Sequence, residues 1–450
     1  MSVLFKNGTI VTMNPNRDVI QGDILVEGDR IARIGNLESI VADQVVDATD
    51  RVIIPGLIQG HIHLCQALFR GMADDLELLD WLKLRIWPLE GGHDEESLYY
   101  SSLLGIGELM RGGTTGIIDM GTVHHTDSIF RAVRETGIRY LGGKCMMDYG
   151  DEVPATLLED TDASITESVR LLEKWNGQAD GRIHYAFCPR FAVSCTDKLL
   201  REVKKLADQY QVTVHTHASE SKGEIAVVEK ERGMRNVLYI NSLGLCNERL
   251  VLAHCIHLDD EEMQVLAQTG THICHCPGSN LKLASGIAPI PRLLELGASV
   301  ALGADGAPCN NNLSQFVEMR LAALVQKPLH GPTAMPANKV FEMATLGGAR
   351  AMRLEHEVGS LEVGKKADLA VVDLSGWHTW PRNAASVYAQ LVYQAQANDV
   401  VATMIDGQMV YLDGQMLTIN QHEVMDGIDR GLQRVIDRVG LDASYYGLLR

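Results

Sequence analysis

Two histidines stand one residue apart at the end of an apolar run, "PGLIQGHIHLCQ", residues 55–66. A buried imidazole costs free energy unless its ring nitrogens are satisfied. Alternate residues of a strand point to one side, so His61 and His63 share a face and could share one partner, a metal ion. More such residues follow at later apolar runs: His215 and His217 in "VTVHTHAS", His254 and His257 in "LVLAHCIHL", His272 and His275 in "THICHCP", and Asp305 in "SVALGADGA". A lone histidine there reads as a satisfied core residue. Several at the same end of successive strands would each need a partner of their own. His61, His63, one of His215 or His217, and Asp305 would offer three nitrogens and a carboxylate oxygen. That donor set suits Zn²⁺ or Fe²⁺ better than Ca²⁺ or Mg²⁺. Spacing alone leaves His215 and His217 equivalent. Glu220, three residues past His217, stands where a general base for a metal-activated water would be. Taken alone, it reads as the solvated first turn of a helix, "SESKGEIAVVEKE".

These residues need a frame that brings distant segments to one place. Eight apolar, strand-like runs occur at 52–64, 114–120, 139–147, 182–189, 212–219, 250–258, 271–277 and 299–307. Helical segments such as "DKLLREVKKLADQY" (197–210) and "DDEEMQVLAQTG" (259–270) separate them. Strand–helix units in series imply a parallel sheet, and eight of them imply a closed (β/α)8 TIM barrel, whose chemistry sits at the C-terminal ends of its strands. The fold class is therefore α/β. Residues 1–55 are different: β-branched strands with Asn-Gly and Glu-Gly-Asp turns. Similar material returns at 365–374 and 400–415, and 421–438 has the pattern of an amphipathic helix. We expect a small β-sandwich built from both chain ends, 1–55 with 366–450, around a barrel of residues 56–365.

Bulk properties narrow the function. The 450-residue chain carries a formal net charge of −18, which argues against gripping a nucleic-acid backbone. No apolar run approaches the length of a membrane span, and the opening "MSVLFKNGTIVTMN" has no signal-peptide pattern. The nine cysteines are scattered and lie mostly within apolar runs, as reduced thiols of a cytoplasmic protein would. Cys274 and Cys276 form a CxC, which reads more readily as buried strand residues than as a zinc site.

The stretches "PGLIQGHIHLCQALFRG", "HTHASE", "LAHCIHL", "HCPGSNLKLASGIAPI" and "LGADGAPCNNNL" together resemble the amidohydrolase superfamily, in its chlorohydrolase/aminohydrolase branch. The similarity spans nearly the whole chain. It implies one divalent metal, Zn²⁺ first and Fe²⁺ second, with His61, His63, His217 and Asp305 as ligands. It also implies Glu220 as general acid/base and His254, with Asp305, acting on the attacking oxygen. Dinuclear relatives carry a carboxylated lysine at the end of strand 4; "RIHYAFCPRF" has none there, which is consistent with a single metal. The branch acts on small aminated heterocycles, and its members are commonly dimers or tetramers. Metal-free scaffolds of the same fold form the contrasting class; they lose ligand residues, and this chain keeps the matched set.

Over its full length the chain looks most like 5′-deoxyadenosine deaminases, with methylthioadenosine/S-adenosylhomocysteine deaminases as a second, related group. "ADDLELLDWL" (73–82) is similar to their lid helix, with Trp81 as a stacking face over a flat ring. Leu79 replaces the Glu by which the second group holds ribose. "CPRFAVSC" resembles guanine deaminases instead, where Arg190 and Phe191 would meet the ring and a guanidinium could donate twice to an O6/N7 edge. Gln66 is a further amide for the ring edge, and Cys309 stands where some relatives carry Ser. The expected activity is hydrolytic deamination of an amino-purine. Adenine nucleosides lead, followed by guanine and then aminotriazines.

Overall fold

The computed structural model describes residues 2–150 and 152–440; the last ten residues of the expected terminal domain, 441–450, lie outside them. Eight parallel strands run in sequence order: Leu57–Ile62, Thr114–Met120, Arg139–Gly143, Ile183–Pro189, Thr213–Ala218, Leu250–His254, His272–His275 and Ser299–Leu302. Each pairs with the next. The eighth returns to the first through a bridge between Ile62 and Asp305, where the Asp305 amide donates to the His61 carbonyl at 3.1 Å. This is the TIM barrel expected from the sequence.

The helices follow their sequence signals. Asp197–Tyr210 begins behind Thr196, whose hydroxyl accepts from the Leu199 amide, and ends at Gln211 in the left-handed conformation. Asp260–Thr269 starts with a capping box between Asp259 and Glu262 and stops at Gly270. Such caps satisfy the end groups that a helix leaves without internal partners.

Both chain ends build a second, nine-stranded mixed sheet. Leu369–Asp373 lies antiparallel to Arg51–Pro55 on one side and to Val400–Ile405 on the other. The interior of this sheet includes Val3, Phe5, Ile24, Ile53, Leu369, Val371 and Met404, all buried. The apolar run 52–64 is thus divided between the two sheets. Arg51–Pro55 belongs to the terminal sheet and Leu57–Ile62 to the barrel, with Gly56 at the crossing. A Cβ on Gly56 would lie 2.0 Å from Thr115 Oγ1, so only glycine lets the chain pass there. Hydropathy could not show this break, because both halves are buried. Other strands are shorter than their runs: the third breaks after Gly143, the sixth ends at His254, and the eighth ends at Leu302.

Arg139 opens the third barrel strand and holds Asp368 with Nε and Nη2, both at 2.8 Å, and Asp406 at 3.2 Å. This buried cluster fixes the terminal sheet to the base of the barrel. Among the described residues, no helix is long and apolar enough to cross a membrane.

Candidate functional site

The upper ends of strands 1, 5 and 6 and the turn after strand 8 bring His61, His63, His217, His254 and Asp305 together. His61 Nε2 and His63 Nε2 lie 3.3 and 3.4 Å from Asp305 Oδ1. His63 Nε2 is 3.3 Å from His217 Nε2.

Their outer partners fix where the ring protons are. A carbonyl can only accept. His63 Nδ1 therefore donates to the Met120 carbonyl at 2.9 Å, and His217 Nδ1 to that of Arg190 at 2.7 Å. His215 Nδ1 donates to the Val251 carbonyl at 3.2 Å, which leaves its Nε2 to accept from His61 Nδ1 at 2.8 Å. Three Nε2 lone pairs and a carboxylate oxygen thus converge with no proton among them. His61 Nε2 has no hydrogen-bond partner among the described residues. Extra protons do not relieve the conflict. Burial pushes His61 down, His63 down to about 4 and His217 well down, so the rings stay neutral near pH 7. Acceptors this close need a cation between them, and the set fits a nitrogen-preferring divalent metal. His61, His63 and His217 form one group able to hold an ion, and His61, His254 and Asp305 another. His217 faces the centre, and His215 stands behind His61 and accepts from its Nδ1.

Strand 8 ends in a turn that aims Asp305. Its φ is 64°, and that of His254 is 74°. Left-handed backbone is uncommon outside glycine, but Asp and His adopt it more readily than most residues, which lets the chain turn sharply here. The Ser279 hydroxyl donates to Asp305 Oδ2 at 2.7 Å, and the Gly306 amide to Oδ1 at 2.7 Å. His254 Nδ1 donates to Asn280 Oδ1 at 2.8 Å. Its Nε2 lies 3.4 Å from Glu220 Oε2 and 3.8 Å from Asp305 Oδ2. Burial works against its charged form, but the carboxylates of Glu220 and Asp305 outweigh it and raise its pKa.

Glu220 is buried and precedes its helix, Lys222–Arg232. It is therefore not the solvated first turn that its position alone suggests. Burial pushes its carboxyl up to about 7. Its backbone is anchored by Glu224, whose carboxylate accepts from the Glu220 amide at 2.7 Å and the Ser219 amide at 3.3 Å. Sequence reading missed Glu224; on an amphipathic helix, a glutamate in the first turn resembles any other.

A cavity opens on this cluster, lined at its polar end by His63, His217, Glu220, His254 and Asp305. Trp81, Phe191 and Leu283 form apolar wall, with Leu78 and Leu82 beside Trp81. Trp81 ends the short helix Leu78–Trp81, which continues through a wide turn, Leu82–Ile86, into Trp87–Gly91. Arg190 also lines the cavity, but its guanidinium grips buried Glu90, with Nη1 at 2.6 Å and Nη2 at 3.3 Å. Gln66 and Cys309 are not among the lining residues. Gln66 Nε2 donates to Glu90 at 2.8 Å, and Cys309 Sγ donates to the Gly306 carbonyl at 3.0 Å. A Cβ on Gly306 would meet Gln66 Oε1 at 1.9 Å, so the two loops touch there.

The other histidines singled out in the sequence, His257, His272 and His275, do not line the cavity. His257 donates to the Ser285 carbonyl at 2.7 Å. His272 begins its strand, at the far end of the barrel from the cluster, and pairs with the Ser299 hydroxyl at 2.8 Å. His275 is buried within the seventh strand. All nine cysteines are free and buried.

The family model of the amidohydrolase family matches residues 52–410. A 5′-deoxyadenosine deaminase of Methanothermobacter thermautotrophicus is 41% identical over 409 residues, 90% of this chain and 93% of that protein. A 5-methylthioadenosine/S-adenosylhomocysteine deaminase of Desulfitobacterium hafniense is 36% identical, covering 96% of this chain and 98% of its own. An adenosine deaminase from Xanthomonas campestris with bound zinc superposes with a TM-score of 0.90 at 31% identity, over 97% of this chain and 98% of that one.

Proposed function

The chain belongs to the amidohydrolase family, and from that membership we propose that it is a metal-dependent aminohydrolase that replaces the amine of an adenine nucleoside with oxygen and releases ammonia. The observation that carries this reading is the pairing of Glu220 and His254, 3.4 Å apart, with four proton-free acceptors at one end of an aromatic-walled cavity. A 5′-deoxyadenosine, methylthioadenosine or S-adenosylhomocysteine type of substrate is supported by the named activities of the relatives. The apolar wall of Leu78, Leu82 and Leu283 suits the uncharged 5′ end of 5′-deoxyadenosine or methylthioadenosine better than the zwitterionic 5′ group of S-adenosylhomocysteine.

His61, His63, His217 and Asp305 would hold a zinc-type ion, whose Lewis acidity would bring the ionisation of a water toward neutrality. Glu220 takes a proton from that water on its carboxylate and delivers it to a ring nitrogen. Protonation of the ring makes the amine-bearing carbon electrophilic. His254 stabilises the charge that develops on the incoming oxygen. Asp305 receives the oxygen's second proton at Oδ2 and passes it to the amine, which leaves as ammonia. Trp81 and Phe191 hold the ring flat and keep bulk water out; such stacking contributes about 0.5–1.5 kcal/mol beyond burial.

The test is an ammonia-release screen of the zinc-supplemented enzyme over adenosine, 5′-deoxyadenosine, methylthioadenosine, S-adenosylhomocysteine and guanine. We expect kcat/KM for at least one adenine nucleoside to exceed that for guanine by about tenfold or more. Preference for guanine would overturn the substrate assignment, and no turnover of any of the five would overturn the reading as a purine aminohydrolase.

A further inference from the structure

Glu90 lies outside the machinery described above, yet it touches three parts of it. Its carboxylate is buried and receives Arg190 Nη1 at 2.6 Å, Arg190 Nη2 at 3.3 Å and Gln66 Nε2 at 2.8 Å. Gln66 follows His63 in the chain, and Arg190, at the end of strand 4, lies against His217 of strand 5. Gln66 belongs to the short helix Leu64–Phe69, and its amide donates to the His63 carbonyl at 3.1 Å. Arg190 offers its carbonyl to three donors at once: the His217 amide at 3.1 Å, His217 Nδ1 at 2.7 Å and the Thr216 hydroxyl at 3.1 Å. The orientation of the His217 ring therefore depends on where the Arg190 backbone is held. Glu90 also lies at the far end of the helical stretch that carries Trp81, which walls the cavity.

We propose that Glu90 is a positioning residue: by holding Arg190 with two arms and Gln66 with a third bond, it fixes the His63 and His217 segments at the spacing the metal needs and ties the Trp81 stretch to them. Two parallel N–H bonds from a guanidinium to a carboxylate define direction as well as distance, which a single contact does not. A bond network of this kind transmits orientation to the ligands, and disturbing such partners costs roughly 10–100-fold in metal affinity. The inference rests on the metal reading and does not depend on which purine is the substrate.

The test measures metal release from the zinc-loaded enzyme to a chromogenic chelator, with no substrate present. We expect Glu90→Gln, which keeps the volume but loses the charge, to release zinc about tenfold faster than wild type. R190K retains charge but not the two-armed geometry and should do the same. The double variant E90Q/R190Q should release zinc more slowly than the product of the two single effects predicts, because both changes break the Glu90–Arg190 connection and only E90Q also disturbs Gln66. Unfolding of the apo forms is followed in parallel. A folded E90Q with wild-type release, or additive effects of E90Q and R190Q, would overturn the role of Glu90. Should E90Q not fold, wild-type release by R190K would do so. A wild-type protein that retains no divalent metal would instead overturn the underlying metal assignment.

Discussion

At the scale of single residues, Glu220 carries the sharpest expectations. Glu220→Gln preserves the shape beside His254 but can no longer accept a proton from water. We expect it to keep its metal and to lose about 10²–10⁴-fold in kcat; metal analysis alongside steady-state rates checks both halves. The pH dependence has a definite sign. Burial holds the Glu220 carboxyl up to about 7, and the proposed mechanism needs the carboxylate in the free enzyme. Log kcat/KM should therefore fall as pH drops through about 7. A flat profile from pH 6 to 8 would assign the proton transfer to another group. The histidines of this site were legible in the sequence because their signal is local: two imidazoles at alternate strand positions have few other uses. Spacing did not separate His215 from His217; only the resemblance chose His217, because which ring meets His63 and which stands behind His61 is a long-range fact. Glu90 and Glu224 were invisible for the same reason. "PLEGG" and "SKGEI" have no spacing that sets their glutamates apart from surface ones.

At the scale of elements, helix ends were easier to read than strand ends. A cap is written in a few adjacent residues, whereas a strand's end depends on its neighbours. The undivided apolar run 52–64 shows the difference: its burial is continuous, and only the close approach of Thr115 to Gly56 reveals the passage between two sheets. One cap does double duty. Asp94 starts the helix Glu95–Arg111, accepting from the Ser97 amide at 2.7 Å, and also receives Arg434 and Arg438 from the final helix, Gln421–Val439. Burial acts to raise its pKa, but Arg434, the Ser97 amide and Arg438 outweigh it and hold the carboxyl well below its usual range. A carboxylate depressed in the folded state adds stability above its unfolded pKa of about 4, and that stability is lost as pH falls through the folded value. Asp94→Ala should cost about 1–2 kcal/mol at pH 7 through the lost cap. The difference from wild type should shrink below about pH 4. Urea unfolding at the two pH values measures it; an equal difference at both would show that the charge of Asp94 contributes nothing.

At the scale of the whole molecule, the barrel and its partner sheet are joined by buried ions at one end, while the other end concentrates acceptors that repel one another. Arg139 binds Asp368 and Asp406 where the terminal sheet meets the third barrel strand. The opposite end holds three neutral imidazoles and Asp305. Stability should therefore depend on the metal. At free ion about 1,000 times Kd, binding adds roughly 4 kcal/mol. Stripping the protein with a chelator should lower Tm, and zinc should restore it. An unchanged Tm, with metal loss verified by elemental analysis, would show that the cluster tolerates its own repulsion.

The order of strands in the terminal sheet has a consequence for biosynthesis. Arg51–Pro55 leaves the ribosome early, but its antiparallel neighbour Leu369–Asp373 is made more than three hundred residues later. At about 5–20 residues per second, the nascent chain carries one open, apolar β-edge for roughly 15–60 s. All eight barrel strands are translated during that wait. Such an edge invites pairing with a neighbouring polypeptide. Expression yield should accordingly depend on holdase chaperones more than the stability of the finished enzyme would suggest.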